Sequence, residues 1–202
     1  MSRTASAKRK TKETEIFVSV DLDGRGNYDI ETPIGFFTHM LETFAKHGMF
    51  NLCLKAKDDL VMDQHHLIED CGLMLGKVFN KALGDKKGII GPYSFNYPMD
   101  EALAVVSVDI GGRPFLQYAA TFNRQFCGRM NTDLLEDFFH AFSIHLKANI
   151  VIRMLYGRSD HHKIEAIFKA FGKEIRMACS RDIREIENIP STKGVIDHDR
   201  DC

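Results

Sequence analysis

The sequence predicts an α+β fold built from two copies of one unit of strands and helices. Three observations carry this. The phrase His65-His66-Leu67-Ile68-Glu69 returns as His161-His162-Lys163-Ile164-Glu165. The likeness continues at the same spacing through Gly76 and Gly172, Lys77 and Lys173, and Ala82 and Ala178. Hydrophobic periodicity gives both parts of the chain the same order of strand, strand, helix, strand, helix, which favours duplication over a chance repeat.

In the first part, Ile16, Val18, Val20 and Leu22 alternate with polar or outward positions, so 14–22 reads as a strand. Asp23-Gly24-Arg25-Gly26 is a turn into a second short strand. Phe37, Met40, Leu41 and Phe44 recur at helical spacing over 34–47, and Gly48 suits the position just past the helix end. Phe50, Leu52, Leu54 and Ala56 alternate as a strand. Asp63 is placed to cap a helix that runs to Leu83 and stops at Gly84.

In the second part, 101–110 is an apolar strand ending at Gly111-Gly112, and 115–121 is another. Thr132 is placed to cap a helix over 133–147, with Leu134, Phe138, Ala141 and Phe142 on one face. Asn149–Tyr156 reads as a strand, and Ser159 or Asp160 caps a helix to about residue 180. The expected division is a flexible arm over 1–10, half-domains over 11–92 and 93–187, and a C-terminal segment over 188–202. The polar tail Asp197–Cys202 is expected to be mobile without ligand.

The 202 residues, 44% hydrophobic and 27% charged, describe an ordinary globular chain. A net charge of −1 gives no global pull toward nucleic acid or an anionic membrane surface. The basic residues Lys8, Arg9, Lys10 and Lys12 read as a solvated arm. No apolar stretch approaches the roughly 20 residues of a membrane span, and no signal-peptide core follows Met1, so a cytoplasmic location is expected. Five scattered cysteines without a CxxC pair suit reduced thiols, with Cys53, Cys71 and Cys179 expected in packing roles.

The two histidine doublets point to metal chemistry. Neighbouring side chains on a helix diverge by about 100°, so His65 and His66 cannot easily share one ion. His65 and Glu69 are four apart, and His66 and Glu69 three apart, so either pair can meet on one face. The simplest geometry gives each histidine of a doublet to a different metal. Aligning the shorter helices at Phe44 with Phe142 and His47 with His145 sets His39 opposite Asp137. The candidate ligands are then His39, His65, His66, Glu69, Asp137, His161, His162 and Glu165. Mixed imidazole and carboxylate donors suit manganese or iron in an open octahedral site better than a closed structural zinc site. His47 and His145 near helix ends suit carbonyl contacts, and His140 is a possible substitute for Asp137.

These segments resemble the imidazoleglycerol-phosphate dehydratase family of histidine biosynthesis. So do Phe37-Thr38-His39-Met40-Leu41, Pro98-Met99-Asp100-Glu101-Ala102-Leu103, Gly112-Arg113-Pro114, Phe168-Lys169-Ala170-Phe171 and Ile189-Pro190-Ser191-Thr192-Lys193-Gly194-Val195. The likeness runs from about Lys10 to Ile196. It implies a duplicated fold of the ribosomal protein S5 domain 2-like type, each half a mostly antiparallel sheet backed by helices. It also implies a homo-oligomeric 24-mer with cubic symmetry, in which histidines from different chains complete the sites.

The reaction implied is loss of water from imidazole glycerol phosphate to give imidazole acetol phosphate, with two Mn2+ ions per active site. The metals would act as Lewis acids and as a template for the imidazole ring. Glu13, in Thr11-Lys12-Glu13-Thr14, matches the family's catalytic glutamate, with Glu69 and Glu165 able to assist proton transfer. Arg113, Lys169, Ser191 and Lys193 match its phosphate-binding positions. Three positions depart from the pattern: Gly91 replaces a common phosphate-contacting arginine, Thr43 a glutamine, and Asp137 a histidine ligand. The rival readings are a related metal enzyme with altered substrate choice and a catalytically weak metal-binding oligomer.

Overall fold

Alternation of apolar and polar residues makes one-sided strands, and one-sided strands need a helical layer to cover them. The computed structural model describes residues 3–58 and 63–196. The strands are β1 (Thr4–Lys10), β2 (Thr14–Asp21), β3 (Tyr28–Glu31), β4 (Asn51–Asp58), β5 (Pro92–Met99), β6 (Ala102–Asp109), β7 (Phe115–Ala119), β8 (Phe126–Cys127), β9 (Met130–Asn131) and β10 (Asn149–Tyr156). The helices are α1 (Gly35–Gly48), α2 (His65–Leu83), α3 (Leu134–Leu146) and α4 (Asp160–Cys179).

The strands build two four-stranded sheets of equivalent topology, β1-β2-β4-β3 and β5-β6-β10-β7. In each, only the last pair is parallel. Ile16, Val18, Leu52 and Leu54 of the first sheet point inward and are buried, as are Ala104, Val106, Ile150 and Ile152 of the second. α2 packs on β1 and β2, and α4 on β5 and β6. The halves then interlock through helices: α1 packs on α4, and α2 on α3.

Two glycines make that interlocking possible. A Cβ on Gly76 would lie 2.5 Å from the Phe142 carbonyl oxygen, and one on Gly172 would lie 2.5 Å from that of Phe44. Both pairs of helices therefore cross with backbone against side-chain-free backbone. Phenylalanines fill the space beside the crossings, with Phe44 stacked on Phe171 at 5.2 Å and Phe142 edge-on to Phe171 at 5.0 Å.

Each half starts with one strand more than the periodicity predicts. Residues 4–10 are not a flexible arm: they form β1, paired with β2 from Thr4↔Asp21 to Lys10↔Glu15. Arg9 joins Asp70 of α2 at 3.0 Å, and Arg3 hydrogen-bonds Asp23 and the Cys179 carbonyl. Lys8 and Lys10 both pair with Glu15, so the basic run is largely cross-strand charge pairing rather than a solvated arm. In the other half, β5 pairs with β6 along its whole length.

Several local expectations shift. The left-handed residue closing α1 is Met49, not Gly48; Gly48 is the last residue of the helix, where a Cβ would meet the Phe50 ring at 2.2 Å. Thr132 does not cap α3; its hydroxyl donates to the carbonyls of Arg124 and Gln125. Asp63 accepts the His65 N–H at 2.7 Å at the start of α2, and the Ser159 side chain accepts from His162 N–H in α4. Cys71 and Cys179 are in the core, whereas Cys53 lies half-buried on the outward row of β4. The tail Asp197–Cys202 lies outside the described residues.

Candidate metal centre and substrate site

Both histidine doublets sit in the first turn of a long helix, where the backbone leaves side chains open to solvent. One partner of each doublet comes from the opposite half, because each doublet helix packs on the other half's shorter helix. His39 of α1 therefore meets α4: ligand atoms of His39, His161 and Glu165 all lie within 4.8 Å of one another. Within this group His161 Nε2 is 3.3 Å from Glu165, and Phe36 packs on the His161 ring at 5.0 Å. Asp137 of α3 meets α2, where it lies 3.5 Å from His65 Nδ1; Glu69 lies 3.6 Å from His65 Nε2.

The second histidine of each doublet faces a glutamate from a strand-to-strand turn. His66 Nδ1 is 3.0 Å from Glu13, between β1 and β2. His162 Nδ1 is 2.8 Å from Glu101, between β5 and β6. Asp100 joins this second group, 3.8 Å from His162 Nε2. The two histidines of each doublet thus face different carboxylate sets, as their divergence on the helix requires.

Glu13 is held by an ordered turn. Thr11 Oγ1 accepts the N–H groups of Glu13 and Thr14, and Thr14 Oγ1 donates to Asp70 at 2.7 Å. Asp70 follows Glu69 on α2 and also takes Arg9, so the helix that offers His66 fixes the turn that offers Glu13. Around α4, Asp160 accepts backbone N–H groups from Asn123 and Arg124 and pairs with Lys163 at 2.9 Å. Burial opposes the Asp160 charge, but Lys163 and the two N–H donors hold its carboxyl below the usual range.

The electrostatics follow the pairings. The His162 hydrogen bond, with the Ser159 N–H, pulls the Glu101 carboxyl down to about 2. Reciprocally, Glu101 holds the His162 imidazole above its ordinary value. Burial works against the Glu165 charge, but Lys169 at 2.9 Å more than offsets it and the carboxyl lies below its usual range.

The residues matched to phosphate binding are placed in two groups. Arg113 is exposed in the turn after β6. There a Cβ on Gly112 would overlap the Ile196 carbonyl at 1.8 Å, so glycine lets the C-terminal segment lie against this turn. That segment includes Ser191 and Lys193, joined by the Lys193 N–H donating to Ser191 Oγ at 3.2 Å. Lys169 belongs elsewhere. Its ammonium contacts Glu165, Met99 Sδ at 3.0 Å and the Tyr97 ring. Gly91 is engaged through its backbone, donating to Ala178 and accepting from Ile110. His140 is exposed, His47 packs edge-on to Tyr97 at 5.6 Å, and burial lowers the His145 imidazole's proton affinity.

Glu101 and Asp100 stand beside His162 as candidate site residues that helix-based reasoning passes over. A sequence signal for Glu101 exists: Val18-Ser19-Val20-Asp21 and Gly24-Arg25 recur as Val106-Ser107-Val108-Asp109 and Gly112-Arg113, and the same offset carries Glu13 onto Glu101. Arg124 and Arg158, which line a cleft of about 370 Å³ beside His161 and His162, left no comparable mark.

A family model described as imidazoleglycerol-phosphate dehydratase matches residues 32–175. The chain belongs to the imidazoleglycerol-phosphate dehydratase family. The imidazoleglycerol-phosphate dehydratase of Caldanaerobacter subterraneus subsp. tengcongensis is 50% identical over 194 residues, covering 96% of this chain and 100% of that protein. The histidine biosynthesis bifunctional protein HisB of Spirosoma linguale is 51% identical over 195 residues, and the chain spans 50% of that longer relative. The crystal structure of imidazoleglycerol-phosphate dehydratase from Staphylococcus aureus has a TM-score of 0.80 to this fold at 34% identity, over 89% of this chain and 99% of that one. Membership makes the chain an enzyme of the hydro-lyase class, and the duplicated α+β architecture is shared with the family's solved structures.

Proposed function

We propose that the chain dehydrates D-erythro-imidazole glycerol phosphate to imidazole acetol phosphate in histidine biosynthesis, using two Mn2+ ions per active site. One observation carries the metal part of the reading: His39, His161 and Glu165 bring their ligand atoms within 4.8 Å although they come from two helices of different halves. Imidazole plus carboxylate is a donor set that divalent manganese accepts. His39, His161 and Glu165 would hold one ion, and His65, Glu69 and Asp137 the other, with His66 and His162 extending the donor set. The bound metals would supply Lewis-acid activation and a template for the substrate's imidazole ring.

The chain's own residues account for the remaining roles. Glu13 is exposed on a turn fixed by Thr11, Thr14 and Asp70, so its carboxylate stands ready to move a proton beside His66. Glu69 and Glu165 flank the doublets and are placed to assist. Arg113, Ser191 and Lys193 offer a guanidinium, a hydroxyl and an ammonium for the phosphate, and Lys169 adds positive charge next to Glu165. Three protein donors leave an octahedral ion with open positions, which the substrate and histidines of neighbouring copies in a 24-mer would fill. No helix among the described residues is long and apolar enough to cross a membrane, in keeping with a cytoplasmic enzyme acting on a small phosphorylated substrate without nucleic acid.

The test is turnover of imidazole glycerol phosphate by metal-stripped protein before and after Mn2+ is restored. Formation of imidazole acetol phosphate only with metal is the expected result. Metal binding and assembly without any turnover would overturn the enzymatic assignment.

A further inference from the structure

The duplication offers metal two seats that should be alike, and they are not. On the α1·α4 side, His39, His161 and Glu165 converge, with ligand atoms within 4.8 Å of one another. The equivalents on the α3·α2 side are Asp137, His65 and Glu69. Here the donors do not converge. His65 stands between the two carboxylates, its Nε2 3.6 Å from Glu69 and its Nδ1 3.5 Å from Asp137. One imidazole cannot turn both nitrogens toward one ion, so this arrangement has to open before the three groups can share a metal.

Among the aligned ligand positions the two halves differ at one. The helix alignment that superimposes Phe44 on Phe142 places His39 on Asp137. One seat therefore has two imidazoles and a carboxylate, and the other has one imidazole and two carboxylates. Imidazole suits zinc and nickel well, whereas added carboxylate shifts preference toward manganese and magnesium. The carboxylates also differ in how firmly they are held: Glu69 and Asp137 are 46% and 43% exposed, while Glu165 in the first seat is 12% exposed and paired with Lys169.

We propose that the two metal seats are inequivalent: His39, His161 and Glu165 take a divalent ion first and tightly, and His65, Glu69 and Asp137 take the second weakly, with a bias toward Mn2+ over Zn2+. This rests on the metal reading above and concerns how this chain's Asp137 divides the two ions.

The experiment is a titration of the metal-free full chain with Mn2+, following free ion by electron paramagnetic resonance, with Zn2+ competition read by elemental analysis. Two binding classes at least about tenfold apart are expected, with Zn2+ displacing Mn2+ preferentially from the tight class. Asp137→His should merge the classes and let Zn2+ compete equally at both seats. Asp137→Asn, which removes the charge at nearly constant shape, should weaken only the loose class. Two equal Mn2+ sites in the unmodified protein, unchanged in Asp137→His, would overturn the inequivalence and leave the metal reading standing. No Mn2+ uptake at all would overturn both.

Discussion

The Glu101 carboxylate lies 2.8 Å from Nδ1 of His162 and accepts the Ser159 backbone N–H, also at 2.8 Å, through its other oxygen. It ties the β5–β6 turn to the start of α4 and gives one imidazole of the second doublet a permanent anion. The consequence is measurable in metal-free protein. His162 should titrate above the ordinary histidine value of 6.5, because Glu101 favours its protonated form. In Glu101→Gln the amide oxygen can still accept from Ser159, so the helix start is kept while the charge is lost. The His162 titration followed by NMR is then expected to fall back toward 6.5. An unmoved titration would mean that another group sets it.

Glu13 has the same placement on the first doublet, 3.0 Å from His66 Nδ1. If it moves the proton, Glu13→Gln keeps the shape and removes the base. Turnover should drop by roughly 10²- to 10⁴-fold, while metal content and assembly stay as in the unmodified chain. Unchanged turnover would take Glu13 out of the mechanism.

The four helices and the four inner strands β2, β4, β6 and β10 were legible because their apolar residues repeat at clean spacing. β1 and β5 were not. β1 turns Ala5, Ala7 and Arg9 toward the helices, so its inward row reads as small and charged rather than apolar. β5 begins with Pro92 and contains Pro98, and it exists through its pairing with β6. The site divides in the same way. The doublets announced themselves through helical spacing, but Glu101 sits on a turn that only the hairpin delivers to His162. The joining of His39 with His161, rather than with His65 of its own half, depends on how helices of different halves pack, and no local pattern encodes that.

Those helix crossings are open to a direct test. In Gly172→Ala the new methyl would sit 2.5 Å from the Phe44 carbonyl oxygen and 3.0 Å from the Gly48 nitrogen, both backbone atoms that cannot swing away. Destabilisation of about 2–3 kcal/mol is expected, and the same for Gly76→Ala against Phe142. Gly35 is the control: a Cβ there meets nothing within 4 Å, so Gly35→Ala should be neutral or slightly stabilising. Chemical denaturation of the variants side by side decides it. Equal stability for all three would mean that the helices separate freely.

Glu174 gives the fold a pH dependence of its own. The residue is fully buried in α4; one oxygen accepts the Val108 N–H at 3.1 Å, and the other has no hydrogen-bond partner among the described residues. Burial pushes its carboxyl up to about 8, with Val108 pulling the other way. Its counterpart on α2 is Val78, equally buried, which marks the position as part of the core. Below the ordinary value of 4.5 both folded and unfolded chains hold the proton. Between 4.5 and about 8 the unfolded chain releases it and the folded chain keeps it, so stability falls as pH rises; above about 8 both are ionised and the slope ends. Glu174→Gln keeps an oxygen for Val108 and has no charge to bury. Relative to the unmodified chain it should gain at most about 1.4 kcal/mol per pH unit across that window. Urea denaturation of metal-free protein at several pH values measures the difference, and a constant gap between the two proteins would show that Glu174 does not hold its proton in the folded state.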